Sequence, residues 1–307
     1  MRGLLGIQDL PRTEIEAILE RAKFFQTPQQ RGTALTGRMI VNLFFEASTR
    51  TRVSFEIAAR RLGADAISIT ASGSSVSKGE SLVDTLATLA AMRPDAIVMR
   101  HAASGAPHFL ARHLDIPIIN AGDGTHEHPT QALLDARTIL DHRPTLEGLR
   151  VAIIGDLAHS RVARSNIHLL SKFGASIVLC GPPTLLPKEM AQLAPGVTLT
   201  HDIREAIAGA DVVMMLRVQL ERQHEAPIAH SEYFGFFGLR AEHIPLAKND
   251  VLVMHPGPIN RGHEIASEVA DSKQSVILNQ VENGIAVRMA VLERVTVLER
   301  GTVGGAA

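Results

Sequence analysis

Residues 44–52 read Phe44-Phe45-Glu46-Ala47-Ser48-Thr49-Arg50-Thr51-Arg52, which brings three hydroxyls and two guanidiniums into one short stretch. The apolar run Met39-Ile40-Val41-Asn42-Leu43-Phe44-Phe45 before it predicts a strand. After it, Phe55, Ala58, Ala59 and Leu62 recur at i, i+3, i+4, i+7 and Gly63 closes the pattern, which predicts an amphipathic helix. The donors therefore fall on the first turn of a helix, where free N–H groups and the positive dipole end favour an anion. Arginine adds planar, bidentate donors that fit phosphate oxygens. A lone Ser-Thr-Arg reads more readily as a solvated, well-capped helix start. So many donors directly after a buried strand favour a phosphate cradle.

Other polar groups stand at the carboxyl ends of expected strands, where open α/β sheets place ligands. Arg100 follows Ile97-Val98-Met99 and, taken alone, also reads as a surface charge. His128-Pro129-Thr130-Gln131 follows Ile118-Ile119-Asn120 and a glycine turn; proline suits the first helical position, which puts His128 at the N-cap and Gln131 one turn inside. A neutral imidazole there can donate to a carbonyl oxygen. His126 and His128 also suggest a metal, but their spacing lacks the third ligand that zinc sites need, and no metal is expected. Arg217-Val218-Gln219 ends another strand, and His255-Pro256-Gly257-Pro258 forms a rigid loop after a further one, or a simple turn. The stretch from Ser72 to Glu80, with Ser74 and Lys78, reads by composition as a mobile loop or linker.

These groups need strands and helices in alternation, and the chain supplies them. Strands are expected at Met39–Phe45, Ala66–Ile69, Ala96–Met99, Pro117–Ile119, Val151–Ile154, Ser176–Leu179, Val212–Leu216, Val251–Met254 and Val276–Leu278. Helical patterns separate most of them, which implies parallel sheets built from βαβ units. The first helix starts near Pro11, with Thr13 and Glu16 at capping-box spacing and Ile15, Ile18, Leu19 and Ala22 as its apolar stripe. A domain break is expected at Asp141-His142-Arg143-Pro144, after a helix from Pro129. The second half echoes the first: strand, Gly155-Asp156, a Ser160-Arg161 turn, a helix bearing Ala163, Ile167, Leu170 and Phe173, then Gly174-Ala175. A final helix is expected from Glu282 to Glu299, free to return to the first domain. The expected fold class is α/β: two similar domains, each with a parallel sheet flanked by helices.

The totals narrow the class. With 307 residues, 45% hydrophobic and 21% charged, the chain has the profile of a globular protein of about two domains. Lys plus Arg is 31 against 32 Asp plus Glu, so no global field points to nucleic acid or a membrane surface. Cys180 is the only cysteine, which excludes an intrachain disulfide and a cysteine metal cluster. Neither a signal peptide nor a membrane-length apolar run is read, so the expectation is a soluble cytoplasmic protein.

Taken in order, Phe45-Glu46-x-Ser48-Thr49-Arg50-Thr51-Arg52, Lys78-Gly79-Glu80, Met99-Arg100-His101, His128-Pro129-Thr130-Gln131, Gly155-Asp156 with Ser160-Arg161, Arg217-x-Gln219 and His255-Pro256-x-Pro258 resemble the carbamoyltransferase family over nearly the whole chain. The last two motifs look like its aspartate branch; the Ser-Met-Gly loop and His-Cys-Leu-Pro segment of ornithine enzymes are absent. The resemblance implies transfer of a carbamoyl group from carbamoyl phosphate to L-aspartate, in pyrimidine synthesis, without a cofactor. It also implies an active site in the interdomain cleft. The carbamoyl phosphate-binding domain would be residues 1–141 with 282–307, and the aspartate-binding domain 142–281. Ser48, Thr49, Arg50 and Thr51 would hold phosphate, Arg100 would bridge phosphate and carbonyl oxygen, and His128, Thr51 and Gln131 would hold the carbamoyl group. Arg161, Arg217 and Gln219, with Gly257 and Pro258, would bind aspartate, and Glu46 would pair with arginines on domain closure. Ser74 and Lys78 would enter from a neighbouring subunit, making a homotrimer, with regulatory chains or dihydroorotase as further partners. Three rivals remain: a nicotinamide oxidoreductase, disfavoured because no G-x-G-x-x-G follows Ile154; a non-catalytic anion-binding homologue; and a carbamoyltransferase for ornithine, N-acetylornithine or putrescine.

Overall fold

The computed structural model describes residues 3–27, 32–70, 82–219 and 230–298. Contacts divide the chain into two compact units, Met1–Leu134 with Glu282–Ala307, and Asp135–Val281. Ser74 and Lys78 lie outside the described residues.

The first unit contains β1 (Gly3–Leu4), α1 (Arg12–Phe25), β2 (Met39–Phe44), α2 (Thr49–Arg61), β3 (Asp65–Thr70), α3 (Leu82–Ala91), β4 (Ala96–His101), α4 (Ala106–Ala111) and β5 (Ile118–Asp123). Its strands lie in the order β1-β5-β4-β2-β3, all parallel. Strand β2 buries all but its first residue, as a strand covered on both faces must, whereas edge strand β3 alternates with exposed positions. On α2, Phe55, Ala58 and Ala59 are buried, and burying the Phe55 ring contributes about 1.5–3 kcal/mol.

Helix α5 (Pro129–His142) starts in the first unit and ends in the second. The second unit continues with β6 (Arg150–Ile154), α6 (Arg161–Lys172), β7 (Ser176–Cys180), β8 (Val197–Thr200), α7 (Ile203–Ile207), β9 (Val212–Met215), α8 (His230–Phe237), β10 (Leu252–Met254) and α9 (Ser267–Ala270). These strands are also all parallel, in the order β10-β9-β6-β7-β8. Each sheet thus has five strands and flanking helices, the expected α/β class with two similar domains.

Four local expectations need correction. Val276–Leu278 is not a strand: Ser275 makes one parallel bridge to Val253, and the chain then enters α10 (Ile277–Glu293), with Leu278 exposed. A three-residue apolar run cannot separate the two periods, and here the helical face carrying Ile277, Gln280 and Asn283 is the buried one. Helix α10 therefore begins earlier than Glu282 and gives way to a wider π-helical turn at Arg294–Leu298. Helix α1 has Pro11 at its N-cap with no side-chain cap, and Glu16 pairs with Arg12 at 2.8 Å instead of closing a capping box. Strands β1 and β8, of two and four residues, had no periodic signal long enough to read. Within the first unit, Glu293 of α10 takes both Nε and Nη2 of Arg21 on α1, at 2.6 and 2.7 Å.

A buried polar chain holds the loop after β10. Asp135 on α5 accepts from Asn166 Nδ2 at 2.8 Å and Gln280 Nε2 at 2.7 Å. Gln280 Oε1 accepts the His255 backbone N–H at 2.9 Å, and His255 Nδ1 accepts the Gly257 N–H at 2.7 Å. Because Nδ1 accepts, Nε2 carries the proton and donates to Glu264 Oε1 at 3.1 Å; that oxygen also takes the Asn260 N–H at 2.5 Å. His255 and Glu264 side chains have no exposed surface, so the loop is held from beneath. At the end of β6, Gly155 adopts φ +141°, and a Cβ there would lie 2.7 Å from Leu216 O.

Two stability measurements follow from this packing. Gly155→Ala should cost about 2 kcal/mol and lower the apparent Tm by about 4–8 °C; an unchanged melting curve would show that the β6 turn can relax. Glu264→Ala should cost about 2–3 kcal/mol in urea unfolding, because the buried His255 Nε2–H and the part-buried Asn260 N–H lose their acceptor. A loss under about 1 kcal/mol would mean that the loop is held by other contacts.

Candidate active site

In the first sheet, β2 lies between β3 and β4, and β4 pairs with β5, so the segments leaving β2, β4 and β5 emerge side by side. Phe44 is level with Arg100 in the register, and the Phe45 N–H donates to Arg100 O at 2.9 Å. This gathers Glu46, Ser48, Thr49, Arg50, Thr51, Arg100, His128 and Gln131 at one carboxyl edge. Ser48 is the N-cap of α2 but its side chain makes no capping bond, and the first turn holds no acidic residue. That is an anion-ready helix start: a positive dipole end with cationic side chains and hydroxyls, and no carboxylate within the first turn. Arg52 is engaged locally, 3.2 Å from Glu56, while Thr51 is buried and Thr49 and Arg50 are exposed. Arg100 donates to Ala121 O at 3.2 Å and its Nε lies 3.4 Å from Glu46 Oε2. Glu46 thus has an arginine partner inside its own unit.

The turn leading to His128 is fixed by groups that sequence reasoning passed over. Glu127 is buried, and its carboxylate accepts the Ile7 and Gln8 N–H groups at 2.8 and 3.1 Å. Asp123 takes Gly105 N–H at 2.6 Å, Asn120 Nδ2 at 2.8 Å and Glu127 N–H at 3.1 Å. Burial opposes its charge, but hydrogen bonds led by His126 and Asn120 outweigh that and hold its carboxyl below the usual range. His128 and Gln131 are nearly enclosed at the start of α5, and the Gln131 N–H donates to His128 O at 2.9 Å. His101 packs its ring edgewise on Phe45, 5.2 Å between centroids; burial lowers its pKa, and its Nδ1 accepts the Ala103 N–H at 2.9 Å.

The second sheet repeats the arrangement. The segments after β6, β9 and β10 leave adjacent strands, which brings together Arg161, Arg217, Gln219, Gly257 and Pro258. Unlike Ser48, Ser160 does cap its helix, accepting the Ala163 N–H at 3.1 Å. Asp156, fully buried, lies 2.9 Å from His159 Nδ1 and receives the Gln219 N–H at 3.3 Å. Gln219 Nε2 donates to His159 O at 3.0 Å, so the turns after β6 and β9 are tied together. Arg161 is nearly buried at the start of α6, and Gly257 turns with φ +66°. Asp156, Glu127 and Glu264 could have been suspected from sequence as acidic residues set beside motif positions in apolar surroundings. Cys180 is no nucleophile, since burial pushes its thiol up to about 12. Among the described residues no helix is long and apolar enough to cross a membrane.

Comparison with known proteins agrees with both halves. Residues 2–141 match the family described as aspartate/ornithine carbamoyltransferase, carbamoyl-P binding domain, and residues 147–295 match its Asp/Orn binding domain. An aspartate carbamoyltransferase catalytic subunit of Solibacter usitatus is 77% identical over 297 residues, covering 95% of this chain and 98% of the relative. The catalytic subunit of Gluconobacter oxydans is 57% identical, covering 96% of each. Among solved structures, aspartate transcarbamoylase from Trypanosoma cruzi, in complex with N-(phosphonacetyl)-L-aspartic acid, has TM-score 0.88 at 31% identity and covers 95% of each chain. Ornithine carbamoyltransferase from Pyrococcus furiosus also has TM-score 0.88, at 32% identity, covering 100% of this chain and 98% of that one. With both family domains matched and a relative at 77% identity, this chain belongs to the aspartate/ornithine carbamoyltransferase family.

Proposed function

We propose that the chain transfers the carbamoyl group of carbamoyl phosphate to the α-amine of L-aspartate, releasing N-carbamoyl-L-aspartate and phosphate. The observation that carries this reading is the start of α2, uncapped and free of acidic residues, with Arg100 at the neighbouring strand end. Residues 1–141 with 282–307 act as the carbamoyl phosphate-binding part and residues 142–281 as the aspartate-binding part. Ser48, Thr49, Arg50 and Thr51 take the phosphate; Arg100 reaches phosphate and carbonyl oxygen together; Gln131 takes the carbamoyl nitrogen. Arg161, Arg217 and Gln219 take the aspartate carboxylates, with the Gly257–Pro258 backbone beside them.

The neutral amine attacks the carbamoyl carbon, and its lone pair forms the new N–C bond while the carbonyl becomes an oxyanion. Arg100, Thr51 and His128 meet that charge, each such donor being worth on the order of 3 kcal/mol in comparable sites. The C–O bond to phosphate then breaks, and the phosphate leaves with the bonding pair and takes the amine's proton. Holding two anions in reactive geometry supplies the remaining acceleration. Both the aspartate and the ornithine enzyme share this fold at equal TM-score, so the acceptor is argued from chemistry. Two arginines at the amino-acid end suit a dicarboxylate and repel a cationic side chain. Catalytic-subunit relatives named for aspartate, at 54–77% identity, support the same choice. Ser74 and Lys78 act from a neighbouring copy, so the working form is a homotrimer in the cytoplasm, at the carbamoyl-aspartate step of pyrimidine synthesis. Regulatory chains or dihydroorotase are its candidate partners.

Phosphate release from carbamoyl phosphate should require L-aspartate and yield carbamoyl-aspartate, with L-ornithine and the acceptor-free control silent. Release with ornithine would overturn the reading of Arg217 and Gln219. Arg50→Ala should lower kcat by at least about 10²–10³-fold with an unchanged circular dichroism spectrum; near-normal turnover would remove the phosphate cradle from α2.

A further inference from the structure

We propose that His108, Asp123 and His126 form a binding site for a divalent transition-metal ion, with zinc the best-matched occupant. His108 lies on α4, Asp123 closes β5, and His126 stands in the turn that follows. One ligand atom from each lies within 4.8 Å of the others. Tetrahedral zinc, with Zn–N near about 2.0–2.1 Å, needs its ligand atoms about 3.4 Å apart. Asp123 Oδ2 and His126 Nδ1 already stand 3.0 Å apart, and His126, with 34% of its side chain exposed, has room to turn.

Two further features point to an ion. His108 Nδ1 is buried with no hydrogen-bond partner, although its ring meets that of His126 edge-on at 5.3 Å between centroids. The edge-on histidine pair leaves that nitrogen without a partner, and a cation bound by the His108 ring would give the imidazole a polar role that its present contacts do not. The Asp123 carboxylate is aimed by three other donors, Gly105 N–H, Asn120 Nδ2 and Glu127 N–H, so an ion displaces only its contact with His126. Two imidazoles and one carboxylate, with a remaining position for water on the His126 side, suit zinc, cobalt or nickel. Magnesium and calcium prefer all-oxygen shells. The ion would clip α4 to the turn that leads into His128. That consequence rests on the carbamoyl-transfer reading, but metal binding does not, so the test reads metal directly.

Untagged full-length protein is dialysed against buffered zinc and its metal content counted by emission spectroscopy. The wild type should hold one equivalent per chain, and His108→Gln and His126→Gln should each hold less than a tenth of that at the same free zinc. No uptake by the wild type, or equal uptake by both variants at other histidines, would overturn the proposal. Should a variant fail to fold, cobalt added to the wild type decides. Intense visible bands of a low-coordinate site are expected, and only the weak spectrum of hydrated cobalt would refute it.

Discussion

Every strand in either sheet runs the same way, and this shared direction is the constraint on which the site depends. Parallel strands deliver all their carboxyl ends to one edge, and the crossover helix that follows each strand turns its N-terminus back toward that edge. At β2–α2, β5–α5 and β6–α6 the same order therefore recurs: a strand, a loop carrying polar side chains, then the positive dipole end of a helix. Segments as far apart as Ser48, Arg100 and His128 become neighbours because β2, β4 and β5 are adjacent in the sheet. The candidate anion site is built by this convergence and not by any single arginine.

Loops at a sheet edge are mobile unless something holds them, and here buried carboxylates do so. Glu127 ties the segment after β1 to the turn before α5, Asp123 and Asn120 brace that turn, and Asp156 links the turns after β6 and β9. Glu264, through His255, supports Gly257, and Asp135 joins three elements of the second unit. A buried carboxylate is costly unless its oxygens are satisfied, so each fixes the backbone N–H groups it accepts from. The turns that carry the candidate site residues are thereby fixed by internal contacts, the kind of preorganisation that electrostatic stabilisation of a transition state requires.

Long periodic elements were legible from residues alone. The stripes Ile15-Ile18-Leu19-Ala22 and Phe55-Ala58-Ala59-Leu62 are buried as expected, because a helix can hide such a stripe in only one orientation. Short elements were not: Val276–Leu278 has too few residues to distinguish a period of two from 3.6, and β1 and β8 gain strand character only from a pairing partner. Ser48 and Ser160 both begin helices after a strand, yet only Ser160 caps its helix with its side chain. Thr13 and Glu16 have the spacing of a capping box, but Pro11 starts the helix two residues earlier.

What the sequence determined by itself was the chemistry on offer: which donors sit in one helical turn, which arginines end a strand, and that one cysteine can make no disulfide. These follow from residue type and spacing along the chain, which folding does not alter. The tertiary structure decided which of those groups share a sheet edge and which buried acid aims each one. It also decided that His108, eighteen positions before His126, stands beside it. Such relations depend on strand order and crossover packing, and neither is encoded in any local stretch of residues.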